Sequence, residues 1–232
     1  MAMAVALNNP DLVNICTPST WQGMSSEMLL YDLPQESEEF NSVRRQIHST
    51  LTVHVKSVIR VQNPYLWGSY QLKKMEYKAK NISVREIQMF HCTAESNIDS
   101  IATNNLDWRR STRSKFGQGV SFSPSAEYAN KYANFNIGTD RALILTSVLV
   151  GRETQGYESM KFPPKLYDTS FGNRNRNGTL VYVKYCDHEF YPKYVAYYTC
   201  VNVHRPKFRR FSFGFDNSDY SDDSDGFYDS DF

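Results

Sequence analysis

"RALILTSVLVG", residues 141–151, is an unbroken apolar run of strand length that Gly151 closes. Two more such runs follow, "GTLVYVKYC" at 178–186 and "YPKYVAYYTCVNV" at 191–203, each rich in β-branched or aromatic residues and bounded by Gly, Asn or Pro. The second half of the chain therefore reads as mainly sheet. The first half is different. In "ESEEFNSVRRQIHSTL" (36–51), Phe40, Val43, Ile47 and Leu51 recur at three- and four-residue intervals, with acids in front and arginines behind, the polarity that a helix dipole favours. "VHVKSVIRVQ" (53–62) switches to alternation, Val53 and Val55 and then Ile59 and Val61, with a slip near Ser57. Asn63 and Pro64 cap and open a second helix over "NPYLWGSYQLKKMEYKAKN". Helices early and strands late predict an α+β fold with a mainly antiparallel sheet, not a regular βαβ repeat.

Composition bounds the function. The 232 residues suffice for one sizeable domain. An apolar fraction of 41% and an aromatic fraction of 14% supply its core. Lys and Arg number 26 against 25 Asp and Glu, and a net charge of +1 gives no overall field for nucleic acid or an anionic membrane. Cys16, Cys92, Cys186 and Cys200 form no CxxC pair and have no histidine at zinc spacing, so no metal is expected. There is neither a basic leader with an apolar run nor a stretch of about 18 apolar residues, so the expected location is nucleus or cytoplasm, away from the membrane. Residues 1–29 read as a flexible arm, 30–204 as the folded domain, and 205–232, basic in "RPKFRRF" and then acidic in "GFDNSDYSDDSDGFYDSDF", as a disordered tail whose charge runs serve solubility or, as the alternative, a partner or phosphorylation. A monomer is the default expectation.

"REIQMFHCT" (85–93) has strand character and "AESNIDSIATNN" (94–105) puts Ile98 and Ile101 on one helical face, so His91 falls at a strand-to-helix junction. His91 with Thr93, the glycines Gly117 and Gly119, and the tyrosines Tyr128 and Tyr132, one helical turn apart, together make a cleft able to clamp a flat polar ligand. Each element also has a packing explanation: a lone strand-end histidine is commonly structural, and paired tyrosines commonly serve the core. Pro124 suits a helix start after Ser123. "GQG" falls short of a dinucleotide fingerprint or a P-loop, and no hydrolase triad or carboxylate pair stands out.

"IRVQNPYLWGSYQLKKMEY", "FHCT", "NNLDWR", "FGQGVSFS", "AEYANKYA", "YDTSFG" and "YPKYVAYY", in that order over about Leu30 to Val203, resemble the catalytic domain of the poly(ADP-ribose) polymerase family, closest to its mono-ADP-ribosylating and antiviral zinc-finger branch. The resemblance implies an ADP-ribosyltransferase fold with a split antiparallel sheet, NAD+ as co-substrate, protein acceptors, and a His–Tyr–Glu triad. His91 matches the histidine, a partner of the adenosine ribose. Cys92 stands where a glycine backbone holds the nicotinamide amide, Thr93 fits the usual Ser or Thr, and Gly119 keeps the family glycine. Ser121 replaces the stacking tyrosine, Ala129 replaces a serine that bonds the amide, and Tyr132 matches a second stacking tyrosine. Val181 takes the glutamate position. Valine accepts no hydrogen bond from a ribose hydroxyl, which excludes polymer growth and leaves transfer of a single ADP-ribose. The four departures equally suit a second expectation, a weak or inactive domain that senses NAD+ or engages protein partners.

Overall fold

A computed structural model describes residues 17–23, 28–111, 115–131, 141–173 and 178–200. Strands β1 (Leu29–Asp32), β2 (Val53–Gln62), β3 (Arg85–Thr93), β5 (Arg141–Val150) and β9 (Phe190–Cys200) form a five-stranded sheet in the order β1-β2-β9-β5-β3, antiparallel throughout. Strands β4 (Val120–Phe122), β6 (Glu153–Gln155), β7 (Thr169–Asn173) and β8 (Leu180–Lys184) form a second sheet, ordered β4-β8-β7-β6, in which only the short β6–β7 pair is parallel. The sheets meet where Phe90 and Ser123 exchange backbone hydrogen bonds of 2.7 and 3.0 Å. This split sheet with few helices is the expected α+β architecture. The slip near Ser57 is a register shift between Val55 and Ser57 in the β2–β9 ladder.

Helix α1 (Glu38–His48) starts at Ser37, whose hydroxyl accepts the Phe40 N–H at 3.1 Å. Phe40, Val43 and Ile47 point inward from it. Helix α2 (Pro64–Ala79) is capped by Asn63, whose Oδ1 accepts the N–H groups of Tyr65 and Leu66. The Asn63 amide also donates to the carbonyls of Ala102 and Thr103, closing the end of helix α3 (Ile98–Asn104). Helix α4 (Ala126–Lys131) begins later than the sequence suggests. Ser125, not Ser123, receives the Tyr128 N–H, while the Ser123 hydroxyl donates to the Leu180 carbonyl and so ties the turn to β8.

Alternation along β5 divides the core. Leu143 and Leu145 pack with α1 and α4, whereas Ala142 and Ile144 pack with α3, Phe122 and Tyr182. A third cluster joins Trp21, Tyr70, Tyr77, Leu149 and Tyr191. Part of it comes from the segment expected to be an arm. Trp21 is buried and stacks on Tyr191, and the side chain of Gln62 bonds the Gln22 backbone in both directions. One large side chain, with no periodicity around it, contributes about 1.5–3 kcal/mol by burial and anchors the segment. Residues 1–16, 24–27 and 201–232, and with them most of the arm and the whole tail, lie outside the described residues.

Two acids, Asp168 and Glu189, converge on one cation. Lys184, fully buried on β8, donates from Nζ to Asp168 Oδ1 (2.9 Å), Thr169 Oγ1 (2.7 Å) and Glu189 Oε2 (2.9 Å). Glu189 also accepts the Tyr77 hydroxyl at 2.6 Å. Burial opposes ionisation of Asp168, but Lys184, Thr169 and the Arg152 backbone outweigh it and hold the carboxyl below its ordinary value. The cluster clamps β7 and β8 to α2 and to the turn before β9. Beside it, a Cβ at Gly119 would lie 2.4 Å from the Lys184 carbonyl oxygen, so only glycine lets the chain before β4 press against β8. Gly119→Ala is expected to destabilise the protein by about 1–3 kcal/mol through that backbone clash, measurable by urea unfolding.

Candidate active site

His91 stands on β3, half-buried, with Nδ1 3.0 Å from the Ser121 carbonyl oxygen and its ring 5.9 Å from that of Phe122. A carbonyl only accepts, so Nδ1 carries a proton and donates to it. The β3–β4 junction is thus what orients the imidazole. Two residues on, Thr93 ends the strand and its hydroxyl accepts the Asn97 amide at 3.0 Å, which fixes the turn into α3.

Between them, Cys92 donates its thiol to the Ala142 carbonyl at 3.3 Å and lies 3.6 Å from the Tyr198 hydroxyl. Its side chain therefore turns toward β5 and β9, where it packs on the cluster that includes Ala129. A side chain in place of glycine is accommodated there. Tyr198 is itself held by its bond to Asn130 on α4, at 2.7 Å.

Ser121 pairs with Val183 across the β4–β8 ladder, and Val181 pairs with Gly172 across β8–β7. Residues opposite one another, or two apart along a strand, share a sheet face, so Ser121, Val181 and Val183 lie on the same side. Ser121 thus meets His91 through its carbonyl, and Val181 lies on the Ser121 face of the second sheet. Val181 is buried, as is Ala129. The Phe116 ring covers Gly172 on that same face, where a Cβ would meet it at 2.0 Å, and the Ser170 hydroxyl donates to the Phe116 carbonyl at 2.6 Å. Gly119 has its packing reason against β8, and Gly117, at φ +123°, takes a backbone that favours glycine. Tyr132 lies outside the described residues.

A family model for the "Poly(ADP-ribose) polymerase catalytic domain" matches residues 37–182, well over half of the chain and inclusive of His91, Ser121 and Val181. The chain belongs to the poly(ADP-ribose) polymerase catalytic-domain family. It is 31% identical over 179 residues to human "Protein mono-ADP-ribosyltransferase PARP12", covering 72% of this chain and 25% of that protein. It is 28% identical over 193 residues to human PARP14, covering 77% and 11%, and 23% identical over 211 residues to human PARP11, covering 77% and 62%. Both are also named mono-ADP-ribosyltransferases. The chain thus spans a quarter or less of the first two relatives.

As a poly(ADP-ribose) polymerase domain, the chain shows three positioning contacts that its sequence did not reveal: the Ser121 carbonyl on His91, Asn97 on Thr93, and Tyr198 on Cys92. Only Asn97 left a signal, an amide four residues after Thr93 in the turn that opens α3. The other two depend on main-chain register and on a strand more than a hundred residues away. Among the described residues, no three His, Cys, Asp or Glu side chains group closely enough to hold a metal ion.

Proposed function

We propose that this domain is an NAD+-dependent protein mono-ADP-ribosyltransferase. Its reaction breaks the bond between nicotinamide and the ribose, forms a new bond from that ribose carbon to an acceptor side chain, and releases nicotinamide. The observation that carries the reading is His91, held by the Ser121 carbonyl at the β3–β4 junction, inside a domain of this family. His91 binds a ribose hydroxyl, and the backbone of Cys92, whose thiol turns away, holds the nicotinamide amide beside Thr93.

Val181 sets the product. A buried aliphatic side chain cannot take a proton from an acceptor ribose, so no second unit is added and a carboxylate on the acceptor protein has to supply the assistance. Ser121 sets the strength. It lacks a ring to stack on nicotinamide, a contact worth about 0.5–1.5 kcal/mol beyond burial. Ser121→Tyr is therefore expected to tighten NAD+ binding by roughly 2- to 10-fold in calorimetry, with no gain in chain length of the product.

A second reading, an NAD+-sensing or protein-interaction module, is favoured by the combination of Ser121, Ala129 and Val181, all without the family's binding groups. Incubation with labelled NAD+ separates the two: saturable binding without nicotinamide release supports the sensor, and release with label on protein supports the transferase.

A further inference from the structure

The loop from β6 to β7 carries side chains that the proposed chemistry does not use. Seven large hydrophobic side chains are exposed among the described residues, and four of them, Tyr157, Phe162, Leu166 and Tyr167, fall within this loop. Phe162 stands edge-on to Trp108, with ring centroids 5.6 Å apart, and 6.4 Å from Tyr185. The Gln118 N–H donates to the Met160 carbonyl at 2.8 Å, which ties the loop to the segment leading into β4. The two stretches form one surface.

Exposed cations are interleaved with these rings. Arg109 and Arg110 follow Trp108, Lys115 precedes Phe116, Lys161 precedes Phe162, and Lys165 precedes Leu166 and Tyr167. The acids within the two stretches are Asp107, which the two arginines share at 2.7 and 3.9 Å, Glu158, and Asp168, which is paired with the buried Lys184. The near-zero net charge of the chain averages this concentration away. Leu166 adds a separate observation: at φ +84° it has a left-handed backbone that side-chain-bearing residues rarely take, yet it is 69% exposed. Among the described residues, Leu166 joins none of the three core clusters.

We propose that this face binds single-stranded nucleic acid. Alternating cations and open rings match the two demands of such a ligand, phosphates at regular intervals and bases with exposed π-faces. Leu166 is a wedge of the kind that enters between unstacked bases. A desolvated protein interface fits less well, because lysine is depleted at the core of such contacts and three lysines flank these rings.

The test is fluorescence anisotropy with the full chain, without NAD+, using labelled oligouridine and oligothymidine of about 12 nucleotides, a span that a stacking platform covers. Binding is expected to weaken with salt, and Phe162→Ala to weaken it roughly 5- to 100-fold. Lys161→Gln combined with Lys165→Gln should lower the slope of log affinity on log salt by about 0.7 per lysine. These lysines are exposed, so the pair keeps the test valid if Phe162→Ala disturbs the Trp108 contact. Preference for oligouridine would indicate readout of the 2′-hydroxyl, and equal binding would indicate the chemistry the two share; either supports the proposal. Variants that bind like the parent, or equal binding of an oligoglutamate peptide, would overturn it. The probe requires no NAD+, so failure of the transferase reading would leave this result standing.

Discussion

Lys184→Met is expected to lower the stability of the protein by about 3–5 kcal/mol, the cost of leaving buried carboxylates without their cation. For a domain of this size that corresponds to a fall of roughly 6–20 °C in Tm. The cluster is largely withdrawn from water. Lys184 is fully buried, Glu189 nearly so, and Asp168 mostly so, while the remaining acceptor positions are filled by Thr169, Tyr77 and the backbone of Gly151 and Arg152. Lys73 stays 3.8 Å from Glu189, but removing the ammonium takes the nearest cation from two charges at the junction of β7, β8 and α2. Glu189→Gln in the Lys184→Met background removes one of them and should recover part of the loss.

The effect depends on pH with a definite sign. Asp168 has its carboxyl held below the ordinary value, so its contribution is present above the unfolded-state value, about 3.9, and is lost as pH falls through the lower native value. The gap between parent and Lys184→Met should therefore be widest near neutral pH and narrow toward about pH 3, as Asp168 takes up a proton. Urea unfolding at a series of pH values measures it. A gap that does not change with pH would show that lost packing, not stranded charge, accounts for the destabilisation.

His91→Ala is expected to weaken NAD+ binding by roughly 10- to 100-fold, the effect of removing a hydrogen bond of about 1–3 kcal/mol from a partly buried site. The same change leaves the Ser121 carbonyl without its donor, so a structural contribution must be separated. His91→Gln does this, because its side-chain amide can still donate to that carbonyl. If His91 serves the ligand, glutamine restores the unfolding midpoint without restoring NAD+ affinity. Recovery of both together would mark His91 as a purely structural residue.

Much of this architecture is legible before any coordinates. Residues 141–151, 178–186 and 191–203 read as strands because they are apolar, β-branched or aromatic, and bounded by turn residues, and they become β5, β8 and β9. Phe40, Val43 and Ile47 keep helical spacing because a single face of α1 is buried. The slip near Ser57 is visible because alternation changes phase there. Other features leave no local trace. β6 is three residues long and pairs in parallel with β7, so no periodicity announces it. Trp21 packs against residues more than forty positions away, and Lys184 closes a string of valines and tyrosines as if it were a solvated strand end.

The candidate site divides in the same way. His91 and Thr93 are visible in outline because a strand stops where a helix begins, and the family blocks add Cys92, Ser121, Ala129 and Val181. Their arrangement is not visible. The hydrogen bond that orients His91 comes from a carbonyl, which every residue carries, and the side-chain identity of Ser121 has no bearing on it. The turn of the Cys92 thiol away from the junction depends on Tyr198, near the end of the last strand. Gly119, expected to serve the ligand, also has a demand of its own from β8, one that would preserve a glycine there with or without NAD+.

The measurement that bears most directly on single-unit transfer is the intact mass of the full chain after incubation with NAD+ and an acceptor protein, with free nicotinamide quantified in the same sample. The account predicts discrete additions of one ADP-ribose per modified side chain, no ladder of longer products, and nicotinamide released in equal amount. Unchanged masses with no nicotinamide released at millimolar NAD+ would contradict it, as would any product carrying a chain of ADP-ribose units.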